Sequence, residues 1–248
     1  MSGAALVTGA GRRIGAAIAR RLAAAGYAVA LHCRSSRGDA GALAEEIRAA
    51  GGRAETFAED LCDPAAPARL VSAAVAALGP LSALVNCASS FEEDAVGSLD
   101  ADLWDRQMAL NLRAPVFLAE AFAAQAPEGL DPCVVNIVDQ RVLKLTPRAI
   151  SYTLSKSALL TATTTLAQAL APKVRVVAVG PGPTLPNPRQ SQDQFAAQAA
   201  ATPMGRGPSP EDIADAALYL LGARSVTGAM IPVDAGQHLA WRTADAID

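Results

Sequence analysis

Short apolar runs alternate with longer amphipathic stretches almost from one end of this chain to the other, and that alternation restricts it to very few folds. Residues 4–7, 27–32, 53–58, 81–85, 133–138, 173–179 and 226–233 read as strands. Helical patterns fill 16–25, 38–50, 65–78, 100–124 and 152–170, and a further helix opens at Ser209-Pro210 with the serine as cap. Runs such as Ala4-Ala5-Leu6-Val7 and Cys133-Val134-Val135 lack polar alternation, as expected of strands covered on both faces. Strand and helix in strict succession imply an α/β fold: one Rossmann-like, doubly wound parallel sheet of about seven strands, helices on both faces. No linker, repeat or low-complexity break divides the chain, and 248 residues suit one core, so residues 1–248 are expected to form one domain. Residues 184–207, rich in Pro, Gln and Ala with no clear core face, read as a substrate lid carrying a short helix near 192–201.

Composition narrows the partners. A net charge of −3 gives no long-range pull toward nucleic acid or anionic lipid. No apolar run reaches the roughly 18 residues that span a bilayer, and the N-terminus lacks the basic flank of a secretion signal. Cys33, Cys62, Cys87 and Cys133 are widely spaced, which suits reduced thiols in a cytoplasmic protein. With only His32 and His238 besides, no metal site is expected.

The first strand runs into Thr8-Gly9-Ala10-Gly11-Arg12-Arg13-Ile14-Gly15 and then a helix. Glycines let the backbone close on a ligand, and a helix start offers free N–H groups, so a strand, a glycine turn and a helix make a pyrophosphate site. The second strand ends in His32-Cys33-Arg34-Ser35. An acidic residue there would accept from a ribose 2′-hydroxyl; Arg34 and Ser35 suit a 2′-phosphate instead, hence NADP(H) rather than NAD(H). Asp60-Leu61, after the third strand, is placed to meet an adenine amino group.

Chemistry concentrates between 139 and 156. Tyr152 and Lys156 stand one helical turn apart on one face. An ammonium beside the phenol is expected to lower its pKa and fit it for proton transfer. Asp139 ends the fifth strand, at the edge where ligands of open α/β sheets sit. A carboxyl, a phenol and an ammonium are therefore expected to face one pocket. Phe91, after the fourth strand, either stacks on a flat substrate or tucks into the core. Asn111 falls among apolar helical neighbours and must find partners if buried.

Thr8-Gly9 with Gly15, Asn86-x-Ala88, Asn111, Tyr152-x-x-x-Lys156 and Pro181-Gly182 together resemble the short-chain dehydrogenase/reductase family over essentially the whole chain. Three positions depart from its usual pattern: Arg13 and Ser89 replace glycines, and Asp139 replaces a serine thirteen residues before the tyrosine. With Phe91, these departures resemble the pteridine reductase branch. That resemblance implies catalysis by Asp139, Tyr152 and Lys156, with Asn111 ordering a water near the lysine. It implies a pterin held by Arg13, Ser89 and Phe91, and cofactor contacts that also include Ile14, His32, Asn86, Ala88, Pro181 and Gly182. It implies a homotetramer. The expected activity is NADPH-dependent reduction of a pterin C=N bond. The alternatives are a carbonyl reductase acting on a ketone or acyl thioester, and a non-catalytic NADP sensor.

Overall fold

The computed structural model describes residues 3–127, 129–187 and 189–241. Arg242, a candidate for completing a neighbouring site, lies outside them. Seven parallel strands form one sheet in the order β3-β2-β1-β4-β5-β6-β7: β1 Ala4–Val7, β2 Ala28–Cys33, β3 Ala54–Ala58, β4 Leu81–Asn86, β5 Cys133–Ile137, β6 Arg175–Pro181 and β7 Met230–Val233. Every neighbouring pair is parallel, with Val7 level with Leu31 on one side and Val85 on the other.

Unbroken apolar strands follow from two cores, one on each face. Val7, Val85, Val135 and Val177 point into a cluster with Ile18 and Leu22 of α1 (Arg13–Ala24), Leu43 of α2 (Arg37–Ala49) and Ile213 and Leu220 of α8 (Pro210–Gly222). Their sequence neighbours Leu6, Leu84, Val134 and Val176 point the other way. There they meet Leu70 of α3 (Ala66–Leu78) and Leu118 and Phe122 of α5 (Ala114–Gln125). Burying each such side chain contributes roughly 1.5–3 kcal/mol.

The expected helix over 100–124 is interrupted. It runs as α4 (Ala101–Met108), a π turn (Ala109–Arg113) and α5, with the Ala114 N–H reaching back five residues to Ala109 O. The extra residue sits at Asn111, whose amide is bonded outside the helix, so sequence periodicity alone gives no sign of it. The last strand is shorter than expected because Gly228, at φ +71°, turns the chain while its N–H bonds Val176 O. The segment expected to form a lid contains α7 (Gln192–Ala200), opened by a reciprocal Ser191/Gln194 capping box. The remaining helix, α6 (Ile150–Leu170), carries Tyr152 and Lys156.

Candidate active site

Sheet order reverses between β1 and β4, where the first strand's two neighbours lead away in opposite directions, and a crevice opens beyond the carboxyl ends at that point. Thr8 ties its two sides together: its Oγ1 accepts from the N–H groups of Cys87 and Ala88, each at 3.0 Å. The glycine turn is packed until no side chain fits. A Cβ on Gly15 would stand 2.2 Å from Gly9 O, and Gly9, at φ +67°, lies against the Ala88 backbone. Arg13, where a glycine is usual, holds φ +55°, a strained left-handed backbone of the kind found at binding sites.

Two cavities share Gly9, Ser36, Ala88 and Ser89 and together form one trough. The outer one, about 400 Å3, is lined by His32, Arg34, Ser35, Asp60 and Leu61. Arg34 and Ser35 are exposed there, and Arg34 forms no ion pair among the described residues. His32 serves the frame rather than the opening. Its ring is buried, Nδ1 accepts from the Gly9 N–H at 3.2 Å, and Nε2 bonds Glu59 O at 3.1 Å. Burial holds its pKa below the ordinary value, so it stays neutral with the proton on Nε2.

The inner cavity, about 410 Å3, brings together Arg13, Ile14, Ser89, Phe91, Asp139, Tyr152, Lys156, Pro181 and Gly182. The Tyr152 hydroxyl donates to Asp139 Oδ2 at 2.9 Å, while Asp139 Oδ1 accepts from the Arg141 N–H at 2.8 Å. Asp139 therefore both caps the turn after β5 and meets the phenol. The Phe91 ring stands edge-on to Tyr152, centroids 4.8 Å apart, with the Arg141 guanidinium 5.6 Å above it. Phe91 faces the site and is not tucked into the core.

One expectation is corrected. Lys156 does not lower the phenol's pKa. Its Nζ donates to Ile137 O at 2.8 Å and lies 5.8 Å from the Tyr152 ring centre. Burial, and then the Asp139 carboxylate, push Tyr152 well above its ordinary value, so the phenol is a proton donor at rest. Burial also pushes Asp139 up and pulls Lys156 down to about 8.

Asn86 and Asn111 line neither cavity. Asn86 donates to Pro115 O and to Asn136 Oδ1, and Asn136 continues to Thr163, a polar ladder across β4, β5 and α6. Asn111 is fully buried. It accepts from Ser89 Oγ and the Ser90 N–H, and donates to Ser90 O, Gln107 and Ser155. It therefore anchors the loop that presents Ser89 and Phe91.

Sequence reasoning missed Asp94. This buried carboxylate accepts from the Ser151 N–H with both oxygens, at 3.1 and 3.2 Å, and so satisfies the start of α6 one residue before Tyr152. Nothing in Glu92-Glu93-Asp94 marks the third acid as the buried one. Arg189 was also missed; it reaches from the lid to Phe91 O. Among the described residues no group of three or more His, Cys, Asp or Glu is placed to hold a metal, and no helix is long and apolar enough to cross a membrane.

A family model described as enoyl-(acyl carrier protein) reductase matches residues 9–238. A short-chain dehydrogenase/reductase from Serratia marcescens is 32% identical, with TM-score 0.90 over 95% of this chain and 98% of that one. The chain belongs to the short-chain dehydrogenase/reductase family. Within that family, alternative dihydrofolate reductase 1 (FolM) from Brucella canis, solved as a complex with NADP, is 48% identical with TM-score 0.95, covering 99% of this chain and 97% of that one. A (3R)-3-hydroxyacyl-CoA dehydrogenase from Canis lupus familiaris is 32% identical over 96% of this chain and 97% of its own length. Tyr152 and Lys156, the pair that carries the family resemblance, stand on one helix here, with the acid Asp139 beside them.

Proposed function

We propose that this oxidoreductase uses NADPH to reduce the C=N bond of a dihydropterin, of the dihydropteridine, dihydromonapterin or dihydrofolate kind. The observation that carries the reading is the Asp139–Tyr152 hydrogen bond in a cavity walled by Phe91. The FolM likeness supports it.

The trough fits a dinucleotide. The glycine turn is closed to side chains but open to a pyrophosphate at the start of α1. Arg34 and Ser35 would hold a 2′-phosphate, and Asp60 the adenine edge. Lys156 spends one N–H on Ile137 O and keeps two for ribose hydroxyls. When bound, NADPH supplies hydride to the carbon of the C=N bond.

Charge then develops on the nitrogen, which needs a proton. Tyr152 donates it, and the Asp139 carboxyl, buried beside it, returns one to the phenol from solvent. Phe91 holds the flat ring in place, so part of the acceleration comes from orientation. A carbonyl reductase is favoured by the hydroxyacyl-CoA relative; Asp139 opposes it only in its ionised form, since a carboxylate beside a developing alkoxide raises its energy.

The test is NADPH oxidation against a panel of dihydropterins, ketones and acyl thioesters. Turnover of dihydropterins is expected. Turnover of a ketone or thioester with no dihydropterin reduced overturns the reading.

A further inference from the structure

A third cavity, of about 530 Å3, lies across Arg141 from the catalytic one; Arg141 and Gln198 line both. Its walls carry three cations, Arg141, Lys144 and Arg148, and three amides, Gln140, Gln198 and Gln237. No acidic side chain lines it among the described residues. Among the described residues none of the three cations has a carboxylate partner, unlike Arg20, Arg69 and Arg175. The Arg148 side chain makes no hydrogen bond among the described residues, and Lys144 spends one N–H on Ala240 O. Gln140 is buried, and its Oε1, like that of Gln237, has no partner. Amide oxygens that lack a donor and cations that lack a carboxylate, around an open space of this size, fit a guest that carries both N–H donors and carboxylates.

The neighbouring chemistry says where that guest comes from. In a 6-substituted dihydropterin the carbon that receives hydride also bears the side chain. That side chain leaves the ring beside Tyr152 and Asp139, and Arg141, whose backbone N–H is bonded to Asp139, stands between that point and the third cavity. The geometry points to this cavity as the subsite for a carboxylate-bearing tail, an aryl-glutamate rather than a neutral polyol. The inference rests on the pterin reading and narrows it.

The test compares dihydrofolate with dihydrobiopterin on the native protein and on a Lys144→Gln/Arg148→Gln double variant. Both residues are exposed, so equal melting curves are expected. The KM for dihydrofolate should rise about tenfold in the double variant, while both constants for dihydrobiopterin stay put. Salt should raise the native KM for dihydrofolate alone, a readout that needs no variant. An unchanged dihydrofolate KM in the double variant, or a native KM indifferent to salt, overturns the subsite while dihydrobiopterin turnover upholds the reductase. Failure to reduce either dihydropterin overturns both.

Discussion

Replacing Asp139 by Asn tests the reacting pair most directly. The substitution keeps the shape of the side chain, and its carbonyl can still accept from the Arg141 N–H, now at 2.8 Å from Oδ1. The amide nitrogen then faces Tyr152, so the phenol changes from donor to acceptor, and the new group neither takes nor returns a proton. Loss of a positioned acid/base costs about 10²- to 10⁴-fold in kcat, or about 3–5 kcal/mol at 1.36 kcal/mol per decade. Stability should move the other way. The folded carboxyl titrates above its ordinary 3.8 because burial penalises the charge. Its favourable contribution is therefore complete below about 3.8 and lost as pH rises through the raised folded value. Near neutral pH the Asn variant should melt no lower than the native protein, and its advantage should vanish in acid. The assay is NADPH oxidation with dihydropterin from about pH 5 to 9, alongside NADPH binding and melting curves. A variant that keeps kcat within about threefold refutes the proton-transfer argument, because nothing else at that position can carry the proton.

Four further outcomes are expected. Arg34→Asp should erase a preference for NADPH over NADH, measured as the ratio of their dissociation constants; equal native affinities contradict the 2′-phosphate assignment. Gly15→Ala should destabilise by more than about 2 kcal/mol in urea titration, because the new Cβ meets Gly9 O at 2.2 Å on backbone that cannot retreat. Asp94→Ala should cost about 1–2 kcal/mol and lower kcat together, because it frees the helix start that positions Tyr152. Lys156 titrates near 8 when folded against an ordinary 10.5, so native stability should rise between those values as the buried ammonium discharges; Lys156→Met should lose that rise in pH-dependent melting.

The fold was legible because strand and helix differ in period and both cores demand apolar side chains. Val7 and Leu6 serve opposite faces, and both had to be apolar. The site was legible where a residue type is tied to chemistry: Tyr152, Lys156 and Asp139 meet at the cavity, and Phe91 faces them. What the sequence hid is conformational or depends on distant neighbours. Asn111 was visible as a buried amide, but not that it holds the Ser89–Ser90 loop through a π turn. Asn86 looked like a cofactor contact, and its side chain is a strut; His32 lines the outer cavity and also braces the glycine turn, a second task that its position in the sequence does not show. The direction of the Tyr152 shift follows first from the burial of the phenol and then from the Asp139 carboxylate against it, neither of which spacing along one helix can tell.

The two sides of the site are held by unequal means, and that bears on which can move. Asp139 is fixed by the Arg141 N–H, Lys156 by Ile137 O, and the start of α6 by Asp94, all in buried or half-buried surroundings. These groups are oriented before any ligand arrives, the condition under which dipoles stabilise a developing charge at least cost. The lid is tied by exposed bonds: Arg13 to the carbonyls of Leu185 and Pro186, and Arg189 to Phe91 O. Such bonds exchange readily with water. Arg13 also lines the catalytic cavity, beside the glycine turn. The acid/base groups are therefore set in a buried frame, while residues 184–207 are held to the rest by bonds that water can replace.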